Sequence, residues 1–304
     1  MKTIMLVESP IQLESALKSI SYFGLSKRNV LFIVRLNGIV KNDNLILSMI
    51  SNYERVVFSA HERSKFAIFG SFVAFMHYII NFGKINIFMG DWRSTWMRLA
   101  SFFVAKDKLY IMDDGLATLG VINSLERLKK TERKLNVVTI YPMNGDEFDK
   151  IKLFQLPVEN ITIEHIYDDS ILFIGSPLEE KGIISRYDWE RYILSIKNDI
   201  KNEPFYYFPH RAESKGNLKF ISECGFEIIE SPLGLEDFIF QSKKVPCYII
   251  GFYSTALVNL KLKSSSLNLI SFKLPTSNVN EFNRDSIMLA YDKIEEMGVV
   301  IKDL

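Results

Sequence analysis

Three short stretches of the chain carry side chains able to do chemistry. The first is Asp113-Asp114-Gly115, set directly after the apolar run "KLYIM". Two adjacent carboxylates in a half-dry site push one pKa upward, which suits a general base. Consecutive side chains diverge, so one of the pair faces a ligand, and the spacing is not the Asp-x-Asp pattern that holds a divalent ion on a diphosphate. The same triplet is ordinary turn chemistry, because Asp bonds its own backbone and Gly accepts positive φ. The second stretch is Pro209-His210-Arg211. Its histidine titrates near neutrality and could serve a leaving phosphate as proton donor or cation; a packed, hydrogen-bonded histidine is the alternative. The third is Tyr253-Ser254-Thr255, opening the helical stretch "ALVNLKL". Hydroxyls and free N–H groups there favour an anion, or act simply as a helix cap.

Other residues could complete these sites. Gly175 and Ser176, with Glu236, would finish a nucleotide pocket, the carboxylate accepting hydrogen bonds from ribose hydroxyls. Glu236 is equally a solvated acid favoured at a helix start. In the first half, Ser9 and Gln12 of "VESPIQ" and Asp91, Trp92 and Arg93 of "GDWRS" stand on the acceptor side. Trp92 is as well explained by core packing.

What positions these residues is an alternation of strands and helices. Apolar runs "TIMLV", "VLFIVRL", "RVVFS", "KINIFM" and "KLYIM" read as strands of the first half, with "VVTIYPM" as a sixth. The second half repeats the plan with "ILFIG", "FYYFP", "FEIIE", "CYIIGFY" and "LNLISF". Between them lie segments of helical period: 11–22, 93–104, 189–201, 218–224, 235–242 and 256–261. The pattern predicts an α/β protein of two Rossmann-like, doubly wound parallel-sheet domains. The expected spans are 1–155, carrying the base, and 156–304, binding the donor, joined within the polar stretch 144–169; the last helix could pack back on the first domain. Ligands of such sheets bind outside the carboxyl ends of the strands, and nearly every candidate residue follows a strand.

Composition narrows the class. The 304 residues carry 37 basic and 36 acidic side chains, so no global field points to nucleic acid. Two cysteines, Cys224 and Cys247, show no zinc or disulfide spacing, and a reducing cytoplasm fits. The start "MKTIMLVESP" is too early broken for a signal peptide. The apolar segment from Phe66 to Gly83 approaches a bilayer span in length but carries His77 and Asn81. A buried or surface-lying helix is expected there, with peripheral membrane contact as the alternative.

The motifs "DDG", "PHR" and "YST", in this order, resemble those of the bacterial sialyltransferases of GT-B fold: the lipooligosaccharide enzymes of family 52, the marine and Pasteurella-type enzymes of family 80, and the polysialyltransferase group. The opening "VESPIQLESAL" is also similar to the start of the first and last of these. The resemblance implies two domains facing a central cleft and a CMP-activated nonulosonic acid, foremost CMP-sialic acid, as donor. The acceptor would be a hydroxyl of a cell-surface glycan, lipooligosaccharide or capsule. It gives Asp114, with Asp113 second, the part of base in an inverting displacement. His210 would meet the departing CMP phosphate, Ser254 and Thr255 would bind it, and Glu236 would hold the nucleoside. No metal and no cofactor is implied. Arg211 stands where the family has Pro, though Pro209 precedes the histidine, and Thr255 replaces a Ser. A UDP- or GDP-sugar donor on the same fold, and a catalytically silent nucleotide-binding scaffold of capsule assembly, are the rival readings. Location at the inner face of the cytoplasmic membrane is a further expectation; the sequence leaves oligomeric state open.

Overall fold

The computed structural model describes residues 2–59, 69–70, 73, 76–77, 85–126, 135–143, 148–161, 166–200, 204–242 and 244–304. Most of the apolar segment 66–83, and parts of the stretch 144–169, therefore lie outside the described residues. No helix among the described residues is long and apolar enough to cross a membrane. The chain divides into two compact units, Met1–Pro157 and Val158–Leu304.

The first unit holds strands β1 (Lys2–Val7), β2 (Val30–Leu36), β3 (Glu54–Ser59), β4 (Ile85–Met89), β5 (Leu109–Ile111), β6 (Leu135–Thr139) and β7 (Ile151–Gln155). They form one sheet in the order β3-β2-β1-β4-β5-β6-β7, every pairing parallel. Helices α1 (Pro10–Tyr22), α2 (Val40–Met49), α3 (Thr95–Ser101) and α4 (Ala117–Glu126) lie between strands. The second unit holds β8 (Ile166–Ile174), β9 (Phe205–Phe208), β10 (Glu227–Ile228), β11 (Lys244–Gly251), β12 (Leu269–Lys273) and β13 (Val300–Asp303). Its order is β10-β9-β8-β11-β12-β13, again all parallel. Its helices are α5 (Arg186–Asp199), α6 (Lys215–Glu223), α7 (Leu235–Gln241), α8 (Thr255–Lys263) and α9 (Glu281–Glu296). The chain is thus an α/β protein of two doubly wound parallel sheets.

Central strands of a parallel sheet are covered on both faces, so they must be apolar throughout. β1, β2 and β4 obey this, with nearly every residue buried. Edge strands need not: β7 and β13 are partly or mostly exposed, and neither appears in the sequence as an apolar run. Pro246 sits inside central strand β11, where it cannot donate to the ladder, and the β8–β11 register shifts between Pro246 and Tyr248. Each unit has its own core, one built around Ile87, Trp96 and Ile111, the other around Phe173, Trp189 and Tyr207.

Both sheets reverse strand order at one place: between β1 and β4, and between β8 and β11. Such a switch point opens a crevice at the carboxyl ends of the strands. In the first unit, α1 leaves it with Pro10 at the helix start and Ser9 as cap, its Oγ accepting from the Gln12 amide at 3.3 Å.

Candidate active site

At the first unit's switch point, side chains from the ends of β1, β4 and β5 converge on Asp114. Its Oδ1 accepts from Gln12 Nε2 at 3.2 Å and Ser9 Oγ at 3.4 Å, and its Oδ2 from Arg93 Nη2 at 3.0 Å. Burial raises its pKa first and the Asp91 charge next, while Gln12 and Arg93 pull it back. Its side chain nevertheless keeps 20% of its surface in solvent. A partly desolvated, partly accessible carboxylate of raised basicity is what a general base requires.

Gln12 holds these strand ends together. Its Oε1 accepts from the Glu8 amide at 2.8 Å while its Nε2 reaches Asp114. It lies over Gly90, where any Cβ would come within 2.3 Å of that Oε1, so a side chain there would push Gln12 off Asp114. Asp91 clamps Arg93 through its backbone N at 2.8 Å, its Nε at 2.9 Å and its Nη2 at 3.1 Å. These two carboxylates hold the guanidinium charged despite its partial burial. Trp92 packs against the unit's core, and with Gly90, Asp91, Asp114 and Thr118 it lines a shallow recess. Core packing therefore accounts for Trp92, which also borders the recess beside Asp114. Glu8, which follows β1 but is not among the candidate site residues, accepts from Ser94 Oγ at 2.5 Å, from the indole N–H of buried Trp96, and lies 3.6 Å from Arg35. Its place at a strand end was the available signal.

The neighbouring carboxylate turns the other way. Asp113 is 3% exposed, and its Oδ2 accepts from the Ile140 amide, at the end of β6, at 2.7 Å. Its own amide donates to Ser15 Oγ at 3.2 Å, and Oδ1 is left without a hydrogen bond. Burial pushes this carboxyl up to about 7, against the Ile140 amide and Thr139, which lower it. Gly115 takes φ +67°, so the triplet does make the turn that its composition suggests. The two carboxylates diverge, Asp113 inward and Asp114 toward Gln12 and Arg93.

In the second unit, β8 ends in Gly175-Ser176 and β9 in Pro209-His210-Arg211. His210 Nδ1 accepts from the Ala212 amide at 3.1 Å, which leaves the ring's proton on Nε2. Burial lowers its pKa to about 4, with Arg211 and Lys181 adding to the effect. His210 is therefore a neutral N–H donor at neutral pH, not a cation. Glu213, absent from the sequence candidates, accepts from Tyr207 Oη at 2.5 Å and from the His210 amide at 2.7 Å. The Ser176 amide also bonds to it, and burial pushes it up to about 7. A Cβ on Gly175 would lie 2.2 Å from Glu213 Oε2. A glutamate three residues after the histidine, ahead of a helix, was the sequence's only hint.

At the end of β11, Ser254 caps α8, its Oγ accepting from the Ala256 amide at 3.2 Å. Thr255 is the first residue of the helix. Glu236, in the first turn of α7, accepts from Asn259 Nδ2 at 2.8 Å and is ion-paired with Lys263, both on α8. Its carboxylate thus ties two helices together, and both its oxygens are engaged. Ser176 is buried beside Gly175, whereas Arg211 is exposed. Six of the seven first-unit candidates, Ser9, Gln12, Asp91, Trp92, Arg93 and Asp114, come together, while Asp113 turns inward; in the second unit Gly175, Ser176, Pro209 and His210 come together.

No family model and no curated protein matches the chain. Solved structures do. MurG of Acinetobacter baumannii aligns over 100% of this chain and 86% of its own, at 12% identity and a TM-score of 0.50. The Phytolacca americana UGT2, solved with UDP-2-fluoroglucose and pterostilbene, aligns over 97% and 93%, at 8% identity and a TM-score of 0.51. A sialyltransferase from Photobacterium damsela aligns over 99% and 81%, at 10% identity and a TM-score of 0.46, too low a likeness to discriminate among donors. Two tandem parallel sheets of this strand order, matched over nearly the whole chain by the first two structures, make the fold of this protein GT-B.

Proposed function

We propose that the chain is an inverting glycosyltransferase that moves a nonulosonic acid from a CMP-activated donor to a glycan hydroxyl. The observation that carries this reading is Asp114, presented at the switch point by Gln12, Ser9 and Arg93 while its neighbour turns into the core. In the reaction, Asp114 takes the proton of the acceptor hydroxyl as its oxygen bonds to the anomeric carbon. The bond from that carbon to the phosphate oxygen breaks, and CMP leaves with the electron pair. His210 donates its Nε2–H to the departing phosphate, and the α8 N-terminus with Ser254 and Thr255 faces the negative charge. Preorganised donors of this kind do without a metal what a divalent ion does elsewhere. The divergence of Asp113 and Asp114 supports a metal-free route, since the two cannot close on one ion.

The choice of CMP rests on the motif resemblance. A UDP- or GDP-sugar donor is the second reading, favoured by the nucleotide in the UGT2 structure. Incubation with CMP-sialic acid, CMP-legionaminic acid, UDP-glucose and GDP-mannose, a glycan panel, and saturating EDTA decides between them. Transfer from a CMP donor that survives EDTA is expected. Transfer from UDP- or GDP-sugars alone overturns the donor assignment, and loss on chelation with rescue by magnesium or manganese overturns the mechanism.

A further inference from the structure

We infer that Glu213 is a positioning residue, a buried clasp that fixes the carboxyl ends of β8 and β9 against each other and so sets the orientation of the His210 ring. Its carboxylate collects donors from three places: the Tyr207 hydroxyl inside β9, the His210 amide just beyond it, and the Ser176 amide beyond β8. Around it the backbone is drawn tight. The Gly175 amide donates to Phe208 O at 2.9 Å, and the Glu213 amide to His210 O at 2.9 Å. Gly175 leaves no room for a side chain, because a Cβ there would meet both Glu213 Oε2 and the His210 amide. The turn so closed presents the Ala212 amide to Nδ1, which is what leaves Nε2–H as the ring's one donor. The chemical importance of that donor rests on the functional reading above; the clasp itself does not.

The clasp works by reach rather than by charge. Burial pushes Glu213 up to about 7, and its bonds are compatible with either protonation state. With a proton on Oε1, the bond to Tyr207 reverses direction and Oε2 still takes the His210 amide. Glutamine reproduces that arrangement, its Nε2 donating to the Tyr207 oxygen. Aspartate keeps the charge but is one methylene too short to span the three donors.

The test compares Glu213→Gln with Glu213→Asp in the full chain. His210 ring nitrogens are followed by NMR through a pH titration, assigned with His210→Ala, and CMP affinity is measured alongside. The other groups acting on the ring, Arg211, Lys181 and Glu180, are the same in both variants. Glu213→Gln is expected to keep the low titration midpoint, the unprotonated Nδ1 and CMP affinity within about twofold. Glu213→Asp is expected to raise the midpoint by about one unit or more and weaken CMP about tenfold. Glu213→Ala takes its place should Asp fail to fold, since it leaves no unpaired carboxylate. A wild-type ring in Glu213→Asp, or loss in Gln with retention in Asp, overturns the clasp. A wild-type protein that binds no CMP, UDP or GDP, yet whose ring readout separates Gln from Asp as expected, supports the clasp and removes the functional reading.

Discussion

Arg93 donates to Asp114 and Asp91 from a side chain 57% exposed, so it stays accessible to a ligand that reaches Asp114. The guanidinium also lowers the Asp114 pKa. Removing it with Arg93→Ala therefore raises that pKa, and the acid limb of the kcat/KM profile should move to higher pH. The acceptor KM should rise more than the donor KM; equal losses would show that Arg93 acts only through folding. Asp114→Asn removes proton acceptance but keeps shape, and should cost transfer roughly 100-fold to 10,000-fold. CMP binding should stay near normal in that variant. His210→Ala acts on the other partner: a hydrogen bond to phosphate contributes roughly 1.5–3 kcal/mol, so CMP should bind about tenfold to a hundredfold more weakly. If Asp114→Asn loses CMP while His210→Ala keeps it, the roles of the two units are exchanged. At this scale the sequence disclosed residue types but not directions. That Asp113 turns inward depends on where the end of β6 brings the Ile140 amide, a long-range register no local motif encodes.

Elements were more legible than contacts. Strands buried on both faces announce themselves as continuous apolar runs, which is why β1, β2 and β4 read directly from "TIMLV", "VLFIVRL" and "KINIFM". The edge strands β7 and β13 escaped, and so did helices α2 and α4. Asp113 couples two of these elements, joining the end of β5 to the end of β6 through a buried carboxyl. Its folded-state pKa, about 7, lies above the ordinary aspartate value. The associated stability is therefore complete below about pH 4 and is lost as pH rises through about 7. Asp113→Asn keeps the acceptor for Ile140 and replaces the orphaned oxygen with an N–H group. It should stabilise the protein by about 1–4 kcal/mol at pH 8, and the gain should vanish near pH 4. Thermal melts of both proteins at the two pH values check this; a variant destabilised at pH 8 would show that the charge itself is needed.

On the scale of the whole molecule, the two units repeat one plan, each with a single sheet, one reversal of strand order and a separate core. Residues 158–304 expressed alone should fold cooperatively, and calorimetry of the full chain should resolve two transitions. A single transition, with a fragment that stays unfolded, would mean that neither core suffices without the other. The all-parallel pairing has a further consequence, and it concerns time. Met5 can pair with Phe88 only after some eighty intervening residues have been made and gathered in. Until β4 arrives, β1 offers an apolar edge to whatever else is near. Sheets of such high contact order fold slowly and stay prone to aggregation while they do. The first unit has this interval to survive on the ribosome, before the second has been translated.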